Sequence, residues 1–112
     1  MKNILILGSE GFLGSVLVPY LLKEKNTFIT GVDKCFFGKN NKIHGRFKFL
    51  KKDYKLLPPS FFLKFDYIID LVNISNDPAS ELNTKFTYKT NYLNKIKLYN
   101  KIKNINKLQK YI

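Results

Sequence analysis

The sequence is poor in residue types that would point to particular chemistries: it has one cysteine, one histidine, one arginine and no tryptophan in 112 residues. Cys35 has no partner for an internal disulfide, so we expect a reducing, cytoplasmic compartment. Cys35 and His44 lack neighbours at the spacing of metal ligands, and no metal site is predicted. No apolar run reaches the roughly 18 residues of a membrane span, and no small-residue cleavage site follows the N-terminal run. We therefore expect neither a membrane segment nor a secretory signal.

Arginine is scarce although the chain is strongly basic. The formal net charge of +12 is typical of proteins that bind nucleic-acid backbones, but Arg46 is the only arginine among 20 basic residues. Base recognition and bidentate phosphate contacts favour arginine, and the lysines are spread along the whole chain. We interpret the lysines as solvated surface charge, so a basic nucleic-acid binder is the third of three hypotheses.

Apolar and polar segments alternate along the chain as they do in α/β proteins. The predicted strands span 3–7, 27–32, 46–50, 66–72 and 110–112. The predicted helices span 12–25 and 78–104, with a short helix or turn at 60–65. Near-continuous apolar strands favour a parallel sheet that is covered on both faces. The sequence therefore predicts one α/β domain with about four parallel strands and the start of a fifth.

Each of the two predicted long helices has an apolar face, which we expect to be buried. In the first helix this face consists of Leu13, Val16, Leu17, Tyr20 and Leu21. The second helix would begin at Asp77 and Pro78, and its stripe consists of Leu82, Phe86, Leu93, Ile96 and Asn100, widened by Tyr88, Tyr92, Tyr99 and Ile102.

Three glycines are spaced three residues apart in the segment GSEGFLG, between the first predicted strand and the first helix. Gly8 would allow a tight turn, Gly11 would let the main chain approach a diphosphate, and Gly14 would let helix and strand pack closely. The helix N-terminus adds unpaired N–H groups and a partial positive charge. Asp33 ends the second strand nineteen residues after Gly14, where a carboxylate can hold a ribose hydroxyl. The pattern predicts a dinucleotide-binding loop.

Five segments of the sequence match those of a known family: GSEGFLGS, GVD, FLKKDY, FDYIIDLVNISNDPASELN and TYKTNY. Through them the chain resembles the NAD-dependent epimerase/dehydratase family, the extended short-chain dehydrogenases/reductases, over about residues 3–112. Characterised members mostly act on nucleotide sugars. The resemblance implies a Rossmann-like doubly wound parallel sheet of strand order 3-2-1-4-5-6, and NAD as cofactor. It covers only the first part of such an enzyme.

The resemblance also implies roles for individual positions. Gly8, Gly11 and Gly14 would form the phosphate loop with Phe12 and Leu13 beside it, and Asp33 would bind the adenosine ribose. The remaining family positions are Asp53 with Tyr54 beside it at the adenine, Leu71, Val72 and Asn73 along the cofactor, and Asn91 as a support of the active site.

Two positions depart from the family pattern. Leu7 replaces the usual threonine before the first glycine, and Asn73 brings a larger polar side chain than the usual alanine. Asp33 favours NAD over NADP because a carboxylate repels a 2′-phosphate, while the neighbouring Lys34 weakens that preference.

The catalytic residues of the family are not matched in this sequence. The resemblance implies a Tyr-x-x-x-Lys motif beyond the fifth strand, together with a serine or threonine, whereas the chain stops where that strand begins. Tyr99 and Lys103 have the right spacing but precede the fifth strand, and we reject them as catalytic.

We therefore expect residues 1–112 to be a partial NAD(P)-binding Rossmann domain without its substrate domain, inactive as this fragment. The fourth strand would have at most residues 110–112 as a neighbour, which favours a truncated or split protein that pairs as a homodimer or with a complementing chain. A nucleotide-sugar substrate is expected only if the missing half is supplied. The second hypothesis is a non-catalytic dinucleotide-binding or protein-interaction module that uses the aromatic face of helix 78–104.

Overall fold

The computed structural model describes residues 1–35, 41, 43–72, 93–105, 108 and 110–112. Within them, five parallel strands form one sheet in the order β3-β2-β1-β4-β5. The strands are β1 Lys2–Leu7, β2 Thr27–Asp33, β3 Phe47–Lys51, β4 Tyr67–Asp70 and β5 Lys110–Tyr111. The helices are α1 Phe12–Leu22 and α2 Asn94–Ile102, with short 3-10 helices at Tyr54–Leu56 and Pro59–Lys64. The predicted α/β class, doubly wound parallel sheet and strand order are confirmed.

The centre of the sheet is β1, which pairs with β2 on one side and β4 on the other. Its residues Ile4–Leu7 are buried because both neighbouring strands and both layers of helices cover them. At the far edge, β4 pairs with β5 through Tyr67 and Ile68. The short fifth strand predicted at the end of the sequence is therefore present as the partner of β4.

Helix α1 covers one face of the sheet, and only part of its predicted apolar face contacts the core: Leu17 and Leu21 pack there as predicted. Gly14 and Val18 are the buried residues of this helix, whereas Leu13, Val16 and Tyr20 are at least 60% exposed. The prediction was wrong for these three residues because α1 is apolar almost all around, so its periodicity does not select a face. The close approach of Gly14 to Ser9, in the loop after β1, selects it instead.

The 3-10 helices and α2 cover the opposite face. Leu98 and Ile102 of α2 pack with Phe62, Phe65 and Ile68 in the larger core cluster. The predicted stripe on this helix was wrong for Leu93, Ile96 and Tyr99, which are exposed. The rest of the predicted helix, with Asp77, Pro78, Leu82, Phe86, Tyr88 and Tyr92, lies outside the described residues.

The end of α1 is held by the single arginine. The Arg46 guanidinium donates hydrogen bonds to the carbonyl oxygens of Leu22 at 2.6 Å, Glu24 at 2.9 Å and Thr27 at 2.8 Å. Because these carbonyls lie at the end of α1 and the start of β2, Arg46 joins the helix to the edge of the sheet.

Across the described ranges, none of the helices combines the length and the apolar character required to cross a lipid bilayer. The same residues contain no group of three or more histidine, cysteine, aspartate or glutamate side chains arranged to hold a metal ion.

Candidate functional site

Gly8 makes the turn between β1 and the loop that leads to α1. Its φ is +82°, in the left-handed region that disfavours residues with a Cβ. A Cβ there would also lie 3.1 Å from the carbonyl carbon of Leu71, which follows β4. The first glycine is thus required by both conformation and space, as the sequence predicted.

Gly14 is required by packing alone. A Cβ on Gly14 would overlap the carbonyl group of Ser9, with only 2.5 Å to its carbon atom, which is closer than any real contact of this kind. The third glycine therefore lets α1 lie directly against the loop that precedes it.

Gly11 differs from the other two glycines because the described residues leave room for a side chain there. The nearest atom to a Cβ on Gly11 is the carbonyl oxygen of Gly8 at 3.7 Å, an ordinary contact distance. Its φ of −78° is open to any residue. Among the described residues, neither packing nor conformation demands glycine at this position.

The loop ends at the N-terminus of α1, which has the properties of an anion site. Gly11 is the N-cap, no side chain caps the helix, and the first turn carries no acidic residue. Phe12 and Leu13 are 81% and 63% exposed beside it. Unpaired N–H groups and the helix dipole favour a negatively charged group at such an end.

Asp33 lies at the carboxyl end of β2, beside the glycine loop. Its Oδ2 accepts a hydrogen bond from the Glu10 N–H at 2.8 Å, and its Oδ1 accepts one from the Cys35 N–H at 2.6 Å. Each carboxylate oxygen has a second lone pair, so the oriented carboxylate can still accept from the two hydroxyls of a ribose.

Sequence reasoning missed a buried polar group inside the glycine loop. Ser9 and Glu10 are 0% and 1% exposed, and Glu10 accepts hydrogen bonds from the Asn41 N–H at 2.9 Å and its Nδ2 at 2.8 Å. The only feature of the sequence that could have indicated this buried group is the acidic residue between two glycines.

Asp53 and Lys34 lie next to each other beyond the ends of β3 and β2. Asp53 accepts from the Lys55 N–H at 3.0 Å, and its Oδ2 is 3.6 Å from the Nζ of Lys34. Together with Lys51 and Lys52 they line a shallow pocket of about 230 Å³. This pocket is where the predicted adenine site would lie.

Tyr54 is placed differently from Asp53, although the two are adjacent in sequence. Its ring is buried in the larger core cluster, with the Lys95 Nζ 5.0 Å from the ring centroid. Its hydroxyl has no hydrogen-bond partner among the described residues. Burial, with added repulsion from Asp70 and Asp53, raises the pKa of Tyr54 well above its usual value.

A second polar group missed by sequence reasoning lies at the carboxyl end of β4. Asp70 accepts hydrogen bonds from the Lys95 Nζ at 2.5 Å, the Val72 N–H at 3.0 Å and the Tyr111 hydroxyl at 2.7 Å. Burial lowers the pKa of Lys95, and the hydrogen bond to Asp70 partly offsets this shift. These contacts tie α2 and β5 to the end of β4.

Leu71 and Val72 follow Asp70 and lie against the glycine loop. The Leu71 N–H donates to the Leu7 carbonyl at 2.8 Å, and Val72 Cγ2 is among the atoms closest to Gly8. Asn73 and Asn91, also predicted as site residues, lie outside the described residues. Six of the predicted site residues thus lie together at the carboxyl end of the sheet: Gly8, Gly11, Gly14, Asp33, Leu71 and Val72.

The literal Tyr-x-x-x-Lys match lies at the end of α2. Tyr99 is 56% exposed, and the Lys103 N–H donates to its carbonyl oxygen within the helix. That Tyr99 and Lys103 are not catalytic stays a prediction.

Comparisons with known proteins agree with this geometry. The profile of the NAD dependent epimerase/dehydratase family matches residues 4–111. A dTDP-glucose 4,6-dehydratase of Haemophilus influenzae is 38% identical over 40 residues, which are 36% of this chain and 12% of that protein.

Solved structures are similar over nearly the whole chain. UDP-N-acetylglucosamine 4-epimerase from Methanobrevibacter ruminantium, in complex with UDP-N-acetylmuramic acid, has a TM-score of 0.85 at 25% identity and is matched over 98% of this chain and 36% of its own. UDP-glucuronic acid 4-epimerase from Bacillus cereus, in complex with UDP-4-deoxy-4-fluoro-glucuronic acid and NAD, has a TM-score of 0.83 at 26% identity, with coverages of 98% and 38%. The Bordetella bronchiseptica enzyme WbmF in complex with NAD+, at 24% identity and a TM-score of 0.83, shares the fold, with coverages of 98% and 34%. This chain spans just over a third of the length of each.

Proposed function

Because the chain belongs to the NAD-dependent epimerase/dehydratase family, we propose that residues 1–112 bind NAD and form the cofactor-binding part of an enzyme that acts on nucleotide sugars. The observation that carries this proposal is the room at Gly11. The described residues do not require glycine there for their own packing, but a dinucleotide diphosphate needs a bare main chain.

The residues present fit the cofactor from the diphosphate to the adenosine end. The N-terminus of α1 would face the diphosphate, with Gly11 directly beneath it. The two oxygens of Asp33, each oriented by one main-chain N–H, would accept from the ribose hydroxyls. Asp53 and the lysine-lined pocket beside it would receive the adenine.

A carboxylate at the ribose also favours NAD over NADP, because it would repel a 2′-phosphate. Lys34 would weaken this repulsion, but it lies within 3.6 Å of Asp53, which attracts its charge away from Asp33. Leu71, Val72 and Asn73 would continue along the cofactor toward the nicotinamide, and Asn91 would support that end of the site. Tyr54 would contribute through the core beneath the adenine pocket.

When bound, NAD supplies an acceptor for the hydride of an alcohol. In our proposal the 112 residues orient this cofactor but do not turn over substrate alone. A proton-transferring tyrosine, its lysine and the nucleotide-sugar site would come from a further part of the protein or from a complementing chain. This proposal is supported by the fact that the chain covers only just over a third of the solved structures it matches.

The test is a calorimetric titration of NAD into the protein and into Gly11→Asp. Aspartate is a better helix N-cap than glycine, so the variant should fold at least as well as the original protein. Its carboxylate would nevertheless lie where the diphosphate binds, and NAD affinity should fall by about a hundredfold or more.

Gly45→Asp is the matched control, because a Cβ added at Gly45 would have no neighbouring atom within 4 Å and the residue lies away from the loop. It adds the same charge and should leave NAD affinity unchanged. Equal NAD affinity in both variants and the original protein would contradict the proposed site, and no NAD binding by the original protein would contradict the proposed function.

A further inference from the structure

Glu10 is a buried charged residue in the middle of the glycine loop. Only 1% of its surface is exposed, and it is followed directly by Gly11, where we place the diphosphate. Burying a carboxylate is costly unless hydrogen bonds replace its water. A second negative charge beside an anion site also opposes binding, so the presence of Glu10 calls for a specific reason.

The partners of the Glu10 side chain show what it does. Its Oε1 accepts from the Asn41 N–H at 2.9 Å, and its Oε2 accepts from Asn41 Nδ2 at 2.8 Å and from Ser9 Oγ at 3.2 Å. The same Asn41 Nδ2 donates to the Ser9 carbonyl at 2.5 Å. These three groups on Asn41 and Ser9 are donors, which suits a carboxylate that only accepts. Glu10 therefore fastens Asn41, which comes after β2, to the glycine loop.

The main chain of the same residue orients Asp33. The Glu10 N–H donates to Asp33 Oδ2, while the Cys35 N–H holds Oδ1. One residue thus holds two groups: its N–H holds the Asp33 carboxylate, and its side chain holds Asn41.

We propose that Glu10 is a positioning residue for the adenosine ribose, which keeps Asp33 and Asn41 in fixed places and thereby sets the preference for NAD over NADP. This inference rests on the proposed function. It goes beyond it in assigning the discrimination to a residue that touches neither the ribose nor the diphosphate through its side chain.

The experiment measures the affinities of NAD and NADP by calorimetry for the protein, Glu10→Gln and Asn41→Ala. Glutamine has the shape of glutamate but presents one amide nitrogen to donors, so it breaks part of the clamp that Glu10 and Asn41 form. Asn41→Ala removes the partner in this clamp and leaves the Glu10 charge in place. We expect the ratio of NAD to NADP affinity to fall by about tenfold in both variants, because NAD depends on the oriented Asp33 and NADP does not.

Glu24→Gln is the control, since Glu24 is exposed near the end of α1 and its side chain is remote from the loop by sequence and position. It removes one negative charge and should leave the ratio unchanged. Thermal midpoints without ligand are measured for every variant, so that a loss of folding is recognised directly.

Two results would overturn the inference while the proposed function stands. If NAD and NADP affinities fall equally in Glu10→Gln, its role is structural only. If the ratio falls in Glu10→Gln but not in Asn41→Ala, the charge of Glu10 discriminates and the clamp does not. Failure of the original protein to bind NAD is a separate outcome, because it contradicts the proposed function itself.

Discussion

The Nζ of Lys95 lies 2.5 Å from the Oδ1 of Asp70 and joins α2 to the carboxyl end of β4. The side chains are only 18% and 5% exposed, and Asp70 also accepts from Tyr111 of β5. Two consecutive elements near the end of the sequence, α2 and β5, therefore meet the end of β4 at one carboxylate, beside the segment that lines the proposed cofactor site.

Removal of the Lys95 charge should destabilise the protein. Lys95→Met would leave Asp70 buried with only neutral donors, and we expect the free energy of unfolding to fall by about 3 kcal/mol, as for other broken buried pairs. Urea denaturation measures this change. Lys97→Met, on the exposed side of the same helix, should cost less than about 0.5 kcal/mol, and equal losses would show that the pair contributes nothing specific.

Replacement of Tyr54 by phenylalanine should stabilise the protein at neutral pH. The Tyr54 hydroxyl is buried without a partner among the described residues, so its removal should raise the free energy of unfolding by about 1 kcal/mol. Tyr99→Phe, at an exposed position, is the control and should be neutral. A destabilised Tyr54→Phe would mean that the hydroxyl is hydrogen-bonded in the protein.

Alkaline pH should weaken the fold through the same tyrosine. Its pKa is raised in the folded protein, so the folded state keeps a proton that the unfolded state releases above about pH 10. The stabilising contribution is complete below that pH and is lost as the pH rises toward the folded-state pKa. Urea denaturation at about pH 8 and pH 10.5 should show a smaller loss for Tyr54→Phe than for the original protein. Equal losses of unfolding free energy in the two proteins would contradict the raised pKa of Tyr54.

An added methyl group should destabilise the protein strongly at Gly14 but only slightly at Gly11. Gly14→Ala forces a Cβ into the Ser9 carbonyl group, and we expect a loss of about 3 kcal/mol or more in the free energy of unfolding. Gly11→Ala meets only ordinary contacts and should change stability by less than about 1 kcal/mol. Thermal denaturation of the two single variants decides the matter, and a stable Gly14→Ala protein would refute the packing described for α1.

Arg46→Gln should loosen the end of α1. The guanidinium bonds to three carbonyl oxygens, and a glutamine can replace at most part of them, so we expect a loss of about 1–2 kcal/mol in the free energy of unfolding. Lys48→Gln removes an exposed charge from neighbouring β3 and should be neutral. If both variants lose the same amount, net charge rather than carbonyl binding explains the effect.

The local pattern of residues was sufficient to predict the turn at the glycine loop and the place of Asp33 at the end of β2. The spacing of these residues depends on main-chain geometry that is the same wherever a strand, a tight turn and a helix follow one another. The strand order was accessible once the chain was interpreted as a doubly wound sheet. The buried faces of the helices were predicted only in part. In α1 nearly every residue is apolar, so the pattern does not select a face. In α2 Ile102 is buried as predicted, but the core also takes Asn94 and Leu98, while Leu93, Ile96 and Tyr99 are exposed.

What the sequence alone determined is therefore the path of the chain around the first strand and the bare main chain at Gly8, Gly11 and Gly14. Only the tertiary structure decided which atoms surround each glycine: Ser9 lies where a Cβ of Gly14 would be, Leu71 lies against Gly8, and no described atom comes closer than 3.7 Å to a Cβ on Gly11. It also decided that Glu10 meets Asn41 and that Asp70 meets Lys95. Such polar pairs are set by folding, since buried charges must find partners wherever the packed elements bring donors within reach.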